Sequence, residues 1–181
     1  MDYIACYGDS LVQGFPFGQR YSWIVAVEKA APLKMLNYGV CGDCCDDIIY
    51  RMRQYPLPEY VQHVLFLGGA NDILQGRSLD HIITDYKRLL SFCEEKSYKL
   101  CIVLPLLSSD KLMNRHLLNL KQAVSDLCAK RCFLLDLQPS IGSDEKSLKN
   151  AYLDGLHPKA PTYEAMGVYA MPYLIKWTSI K

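Results

Sequence analysis

Tyr3-Ile4-Ala5-Cys6-Tyr7-Gly8-Asp9-Ser10-Leu11-Val12-Gln13-Gly14 begins as an apolar run and breaks within one tripeptide. A short buried strand ending in Gly-Asp-Ser, with further glycines at 14 and 18, reads as a tight strand-to-loop turn that pushes one hydroxyl out of the fold. Ser10 is therefore a candidate nucleophile. Gly, Asp and Ser all favour turns, so the tripeptide alone reads first as ordinary turn chemistry. What the rest of the chain brings to the same place decides between the two.

Outward from this stretch, apolar runs and helical patterns alternate. Residues 21–31 read as a helix stopped by Pro32, and Leu33 to Tyr38 as a second strand closed by Gly39 and Gly42. Asp43 to Tyr55 carries Ile48, Ile49, Met52 and Tyr55 at helical spacing, with acidic residues near its start where the helix dipole favours them. Val61 to Leu67 is a third strand ended by Gly68-Gly69. Ser78 caps a long helix with Leu79, Ile82, Ile83, Tyr86, Leu89, Leu90 and Cys93 on its apolar face. Leu100 to Leu104 is a fourth strand stopped at Pro105, a helix spans about 110–130, and Phe133 to Leu137 is a fifth strand. A polar loop then leads to a last helix over about 162–177, with a kink expected at Pro172.

Five nearly continuous apolar strands alternating with helices form a parallel sheet covered on both faces, and right-handed crossovers limit it to a few doubly wound topologies. Such sheets bind ligands beyond the carboxyl ends of their strands. Ser10 follows the first strand, Gly42 the second, Asn71 the third, and Asp154 with His157 the fifth, so five dispersed candidates fall on one edge.

The bulk properties narrow the partner. With 181 residues the chain fits a single domain, residues 1–181, with a sizeable core. Twenty basic against nineteen acidic residues leave a formal charge of +1, too little to gather nucleic acid or an acidic membrane, so a small-molecule partner is expected. The first residues lack the basic start and apolar stretch of a secretion signal, and no apolar run approaches the roughly 18 residues of a membrane span. A cytoplasmic location without stable membrane insertion is expected. No phosphate-cradling or dinucleotide fingerprint is present, so no cofactor is implied. Cys6, Cys101, Cys93 and Cys128 lie in strand-like or helical apolar patterns, as free cysteines that pack as small hydrophobes. Cys41, Cys44 and Cys45 form a C-x-x-C-C cluster that could hold zinc or do redox chemistry, but no second Cys or His pair stands at ligand spacing. No metal is expected.

Attack by a serine on an acyl carbon needs a base for the hydroxyl proton, a group that orients the base, and donors for the oxygen that turns negative. Asp154-Gly155-Leu156-His157-Pro158 offers the first two, because a turn lets side chains three apart meet. The backbone N–H groups of Ser10 and Gly42 and the side-chain amide of Asn71 are candidate oxyanion donors; Gly42 permits close approach and Asn71 donates while staying neutral. His81 and His116 sit in helices and His63 opens a strand, without an acidic residue placed toward this edge. Each candidate has a plain alternative as a turn or cap residue; the set taken together does not.

These residues resemble the SGNH hydrolases, also called GDSL esterases and lipases. Four blocks stand in that family's order: Gly8-Asp9-Ser10-Leu11, Asn37-Tyr38-Gly39-Val40-Cys41-Gly42, Gly69-Ala70-Asn71-Asp72 and Asp154-Gly155-Leu156-His157. The resemblance implies a three-layer α/β/α sandwich with a five-stranded parallel, flavodoxin-like sheet. It implies Ser10 as nucleophile, Asp154 and His157 as the other triad members, and an oxyanion hole from Ser10, Gly42 and Asn71. The compact size is similar to the bacterial thioesterase and lysophospholipase branch, with short-chain esterases and carbohydrate acetylesterases beside it. Cys44 departs from the Thr or Ser often found after the second-block glycine. Phe15, Pro16, Phe17, Ile73, Leu74, Leu106, Leu107, Tyr152 and Leu156 are expected around Ser10, favouring an ester or thioester of a small or apolar acyl group. The same residues read alternatively as core or as a contact in a homo-oligomer. A non-catalytic acyl- or carbohydrate-binding module on this fold is the rival from another class.

Overall fold

The computed structural model describes residues 2–180. Five parallel strands, β1 (Asp2–Gly8), β2 (Leu33–Gly39), β3 (His63–Leu67), β4 (Lys99–Val103) and β5 (Phe133–Leu135), form one sheet in the order β2-β1-β3-β4-β5. The chain runs outward from β1 to β2 and then crosses back to β3, so the strand order reverses on either side of β1, where doubly wound sheets bind their ligands. This is the α/β/α flavodoxin-like architecture expected from the sequence.

Among the described residues, eight α-helices accompany the sheet: α1 (Ser10–Gln13), α2 (Trp23–Ala30), α3 (Cys45–Gln54), α4 (Ala70–Leu74), α5 (Leu79–Glu95), α6 (Lys111–Cys128), α7 (Glu145–Ala151) and α8 (Ala160–Thr178). The period-2 geometry of a strand divides β1 between two apolar layers. Ile4 and Cys6 pack with Trp23, Ile24 and Val27 of α2 and Tyr163, Met166 and Ala170 of α8. Ala5 and Tyr7 pack with Ile48 and Met52 of α3, Tyr86 and Leu89 of α5, and Val124 of α6. Because both faces are buried, the strands read as continuous apolar runs.

Register aligns the strand ends that matter. Gly8 stands opposite Gly39 of β2 and Leu67 of β3, so the residues after all three strands emerge side by side. Three elements differ from expectation. The Gly-Asp-Ser turn enters a one-turn helix, α1, with Ser10 its first residue, and Asn71 lies in the five-residue α4. The expected polar loop after β5 contains α7, whose N-cap Asp144 accepts the Ser147 N–H at 3.0 Å and which buries only Leu148 and Ala151. Pro172 does not end or divide α8. It lies on the exposed side of the helix, as does Val168, the residue whose carbonyl loses its helical partner to the proline.

Candidate active site

Ser10 and His157, 147 residues apart, meet at the carboxyl edge of the sheet, with Ser10 Oγ 3.0 Å from His157 Nε2. The opposite ring nitrogen, Nδ1, lies 2.7 Å from Asp154 Oδ2. Asp154 Oδ1 accepts the backbone N–H of His157 at 2.8 Å and that of Leu156 at 3.0 Å, so one carboxylate fixes both the turn and the ring it carries. Burial pushes the Asp154 carboxyl up, but the hydrogen bonds from the His157 backbone and ring and from Leu156 outweigh it, and it falls to about 2. An ionised carboxylate only accepts, so Nδ1 carries the proton and Nε2 is left to accept from Ser10.

The turn owes its shape to Gly155, which sits at φ +97° with its carbonyl accepting the Ser109 N–H at 2.7 Å. That conformation favours glycine, and a Cβ on residue 155 would also stand 2.5 Å from Ser109 Oγ, which would have to rotate away. Tyr152 ties the same turn to the loop after β4 through its hydroxyl, which donates to the Leu107 carbonyl at 2.5 Å. Tyr152, Leu106 and Leu107, expected around the site, are thus buried in the core instead. Phe15, Phe17 and Leu74 remain exposed, and the Phe15 ring lies 4.7 Å from the His157 ring.

The second and third blocks meet through Asp43. The Asn71 side-chain amide donates to the Asp43 carbonyl at 2.9 Å, which fixes its orientation one residue beyond Gly42 and leaves its second N–H to donate elsewhere. Gly42 has φ +84° and no protein atom within 4 Å of where a Cβ would point, so its open side faces away from the packed fold. Ser10, as the first residue of a helix, has a backbone N–H with no intrahelical acceptor. The expected donors are therefore a first-turn amide, a loop amide and a tethered side-chain amide.

Asp9 was not singled out by sequence reasoning. It is 1% exposed, its Oδ1 accepts the Leu11 N–H at 2.9 Å, and burial pushes its carboxyl up to about 7 against the opposing pull of that bond and of His157. The only sequence signal was its place beside Ser10. Cys41, Cys44 and Cys45 do not gather as one ligand set. Among the described residues, Cys44 instead lies with Asp46 and Asp72, and Arg77 already supplies the positive charge there, with Nη1 2.7 Å from Asp46 and 2.5 Å from Asp72. Cys44 is the N-cap of α3 in a capping box completed by Asp47, whose Oδ2 accepts the Cys44 N–H at 3.0 Å. The thiol stands where a hydroxyl would cap. A cavity of about 370 Å³ lined by Lys99, Arg131, Phe133 and Trp177 opens at the starts of β4 and β5, the edge opposite Ser10.

The sequence profile of the GDSL-like lipase/acylhydrolase family matches residues 6–165, nearly the whole chain and all four blocks. The chain belongs to this family. As a GDSL-type member it is a carboxylic ester hydrolase. Solved structures share the fold at low identity. A member of the lipolytic G-D-S-L family from Veillonella parvula superposes with a TM-score of 0.85 at 19% identity, covering 99% of this chain and 100% of that one. The psychrotrophic esterase EstA from Pseudoalteromonas sp., in a structure inhibited by monoethylphosphonate, gives 0.78 at 16%, covering 99% and 100%. A carbohydrate acetylesterase family member from Sinorhizobium meliloti gives 0.74 at 16%, with the same coverages. No curated protein matches the chain by sequence. No helix among the described residues is long and apolar enough to cross a membrane.

Proposed function

We propose that this GDSL hydrolase cleaves esters or thioesters of small or apolar acyl groups through a Ser10-His157-Asp154 triad and an acyl-enzyme. The 3.0 Å contact between Ser10 Oγ and His157 Nε2, with Nδ1 held by Asp154, carries the reading. His157 Nε2 takes the hydroxyl proton as Ser10 Oγ attacks the acyl carbon, and the imidazolium formed is stabilised by Asp154. The carbonyl oxygen becomes negative and receives hydrogen bonds from the N–H groups of Ser10 and Gly42 and from Asn71. His157 then gives its proton to the departing alkoxide or thiolate. Water attacks the acyl-enzyme with the same imidazole as base, and the acid leaves with Ser10 restored. No step calls for a metal or cofactor.

The exposed ring of Phe15, 4.7 Å from the His157 ring, supports an apolar or small acyl portion, because an apolar surface beside the nucleophile gains from covering hydrocarbon. The test is twofold. A phosphonate ester should label Ser10 in the wild type and not in Ser10→Ala. Initial rates across acetyl, butyryl, octanoyl and palmitoyl esters and thioesters should exceed the rate on a charged succinyl ester and fall in Ser10→Ala by several orders of magnitude, toward the ~10⁶ of a lost triad serine. Hydrolysis by Ser10→Ala at the wild-type rate refutes the reading. Folded wild type that neither labels nor turns over favours a binding module.

A further inference from the structure

Arg51, on α3, carries three side-chain nitrogens, and each meets a different segment of the carboxyl edge. Nη2 donates to the Gly8 carbonyl at 3.3 Å, at the end of β1 and two residues before Ser10. Nη1 donates to the Tyr38 carbonyl at 3.0 Å, at the end of β2. Nε donates to Asp43 Oδ2 at 2.7 Å, one residue beyond Gly42. Asp43 in turn receives the Asn71 amide on its main-chain carbonyl. The two side chains of the ion pair are only 23% and 15% exposed, so water screens it less than a surface pair.

We propose that Arg51 is a positioning residue that holds the two oxyanion donors outside α1, Gly42 and Asn71, in register with Ser10. The role rests on the proposed serine reaction. The physical reason is the planar guanidinium, whose donors point in fixed directions and therefore set the separations of the groups they bind. Gly42 lies in a loop closed by the Asp43 N–H on the Val40 carbonyl and by Gln13 on the Cys41 N–H, and Asn71 in a separate helix of five residues, so neither element by itself sets the distance between the two donors. Both are anchored at Asp43, Asn71 by its amide and Gly42 by the chain, and Asp43 is anchored by Arg51. The same guanidinium grips the strand that delivers the nucleophile. A lysine could keep the charge against Asp43, but it cannot meet three divergent acceptors in one plane.

Donors displaced by a fraction of an ångström lose transition-state stabilisation while ground-state binding changes little. Arg51→Met should lower kcat about 10- to 100-fold and leave KM within about twofold. Arg51→Lys should fall between Arg51→Met and wild type. The discriminating measurement is a cycle with Asn71→Ala. If Arg51 works through the donors it anchors, then once Asn71 is gone, Arg51→Met should lower kcat by less than about threefold. Asp43→Ala, which keeps the carbonyl for Asn71 but removes the ionic anchor, should behave like Arg51→Met and answers the question if that variant does not fold. An unchanged kcat in folded Arg51→Met or Asp43→Ala overturns the proposal, as does the same fold-loss with and without Asn71. Ser10→Ala run alongside separates the two failures. If it is inert while Arg51→Met is fully active, only the positioning role falls; if it is fully active, the serine reaction falls as well.

Discussion

The side chain of Asp154 is 52% exposed, although its carboxyl is held at about 2 by the hydrogen bonds it accepts. A triad carboxylate buried away from water is worth about 10⁴ in kcat. Here water can reach Asp154, and the backbone bonds that shape the turn are shared with the ring, so Asp154→Asn should cost less than that and less than His157→Ala. The ratio of the two kcat losses on one ester checks this, and equal losses would show that Asp154 is indispensable. Asp9 behaves in the opposite sense. Its folded pKa of about 7 lies above the ordinary 3.8, so the folded state holds a proton that the unfolded chain has already released. Stability associated with this group is complete below about pH 4, is lost as pH rises toward 7, and levels off above it. The total is on the order of a few kcal/mol. Asp9→Asn keeps an oxygen for the Leu11 N–H and removes the titration. Its urea midpoint should gain on wild type between pH 4 and 7 and then run parallel, and identical pH profiles would contradict the assignment.

Helices α2 and α8 approach closely at Gly167, and that contact sets a conflict between local and tertiary preference. A Cβ on Gly167 would stand 2.5 Å from Ala26 Cβ and would also collide with the Trp23 carbonyl oxygen. Replacing an interior helical glycine by alanine normally gains about 1 kcal/mol, whereas overpacking a filled interface costs about 1–3 kcal/mol. Gly167→Ala should therefore lower the urea midpoint, and adding Ala26→Gly should recover only part of the loss because the clash with backbone remains. A raised midpoint would mean that α8 shifts freely against α2. Such contacts are invisible in sequence, where Gly167 is one glycine in a long helical pattern. The strands were legible for the opposite reason: with both faces buried, each is an apolar run bounded by glycine, proline or a charge, and observed bounds differ from the reading by one or two residues. Ser78 and Asp110 stood where helix starts were expected, and both cap them. Helices α1, α4 and α7, of four, five and seven residues, are too short to repeat a 3.6-residue pattern, so α7 was taken for loop.

Across the whole molecule, the sheet topology brings the four sequence blocks to one edge, and that convergence was legible because parallel strands all deliver their following residues to the same side. The bonds that hold the blocks together were not: Asp43 read as a helix-start acid and Arg51 was not singled out, since no spacing rule links a side chain to the carbonyls of two strands. The cysteines report on this packing as a whole. Cys6 and Cys101 lie in the apolar layer under α2 and α8, Cys45, Cys93 and Cys128 in the layer on the other face, and Cys44 is buried at the start of α3. Of the eight thiols only Cys41 is exposed, with Cys132 partly so. Partial burial, with the charges of Asp9 and Asp43, pushes the Cys41 thiol up, so it should react with iodoacetamide more slowly than a free thiol and faster as pH rises. Native protein should take up label first at Cys41 and then at Cys132, and the remaining six should wait for opening of the layers, at rates that rise with urea. Mass spectrometry of partially labelled protein reads the order directly, and Cys41→Ser should abolish the first phase. Rapid labelling of Cys6 or Cys45 in native buffer would mean that the layers on the two sides of β1 are not closed together as described.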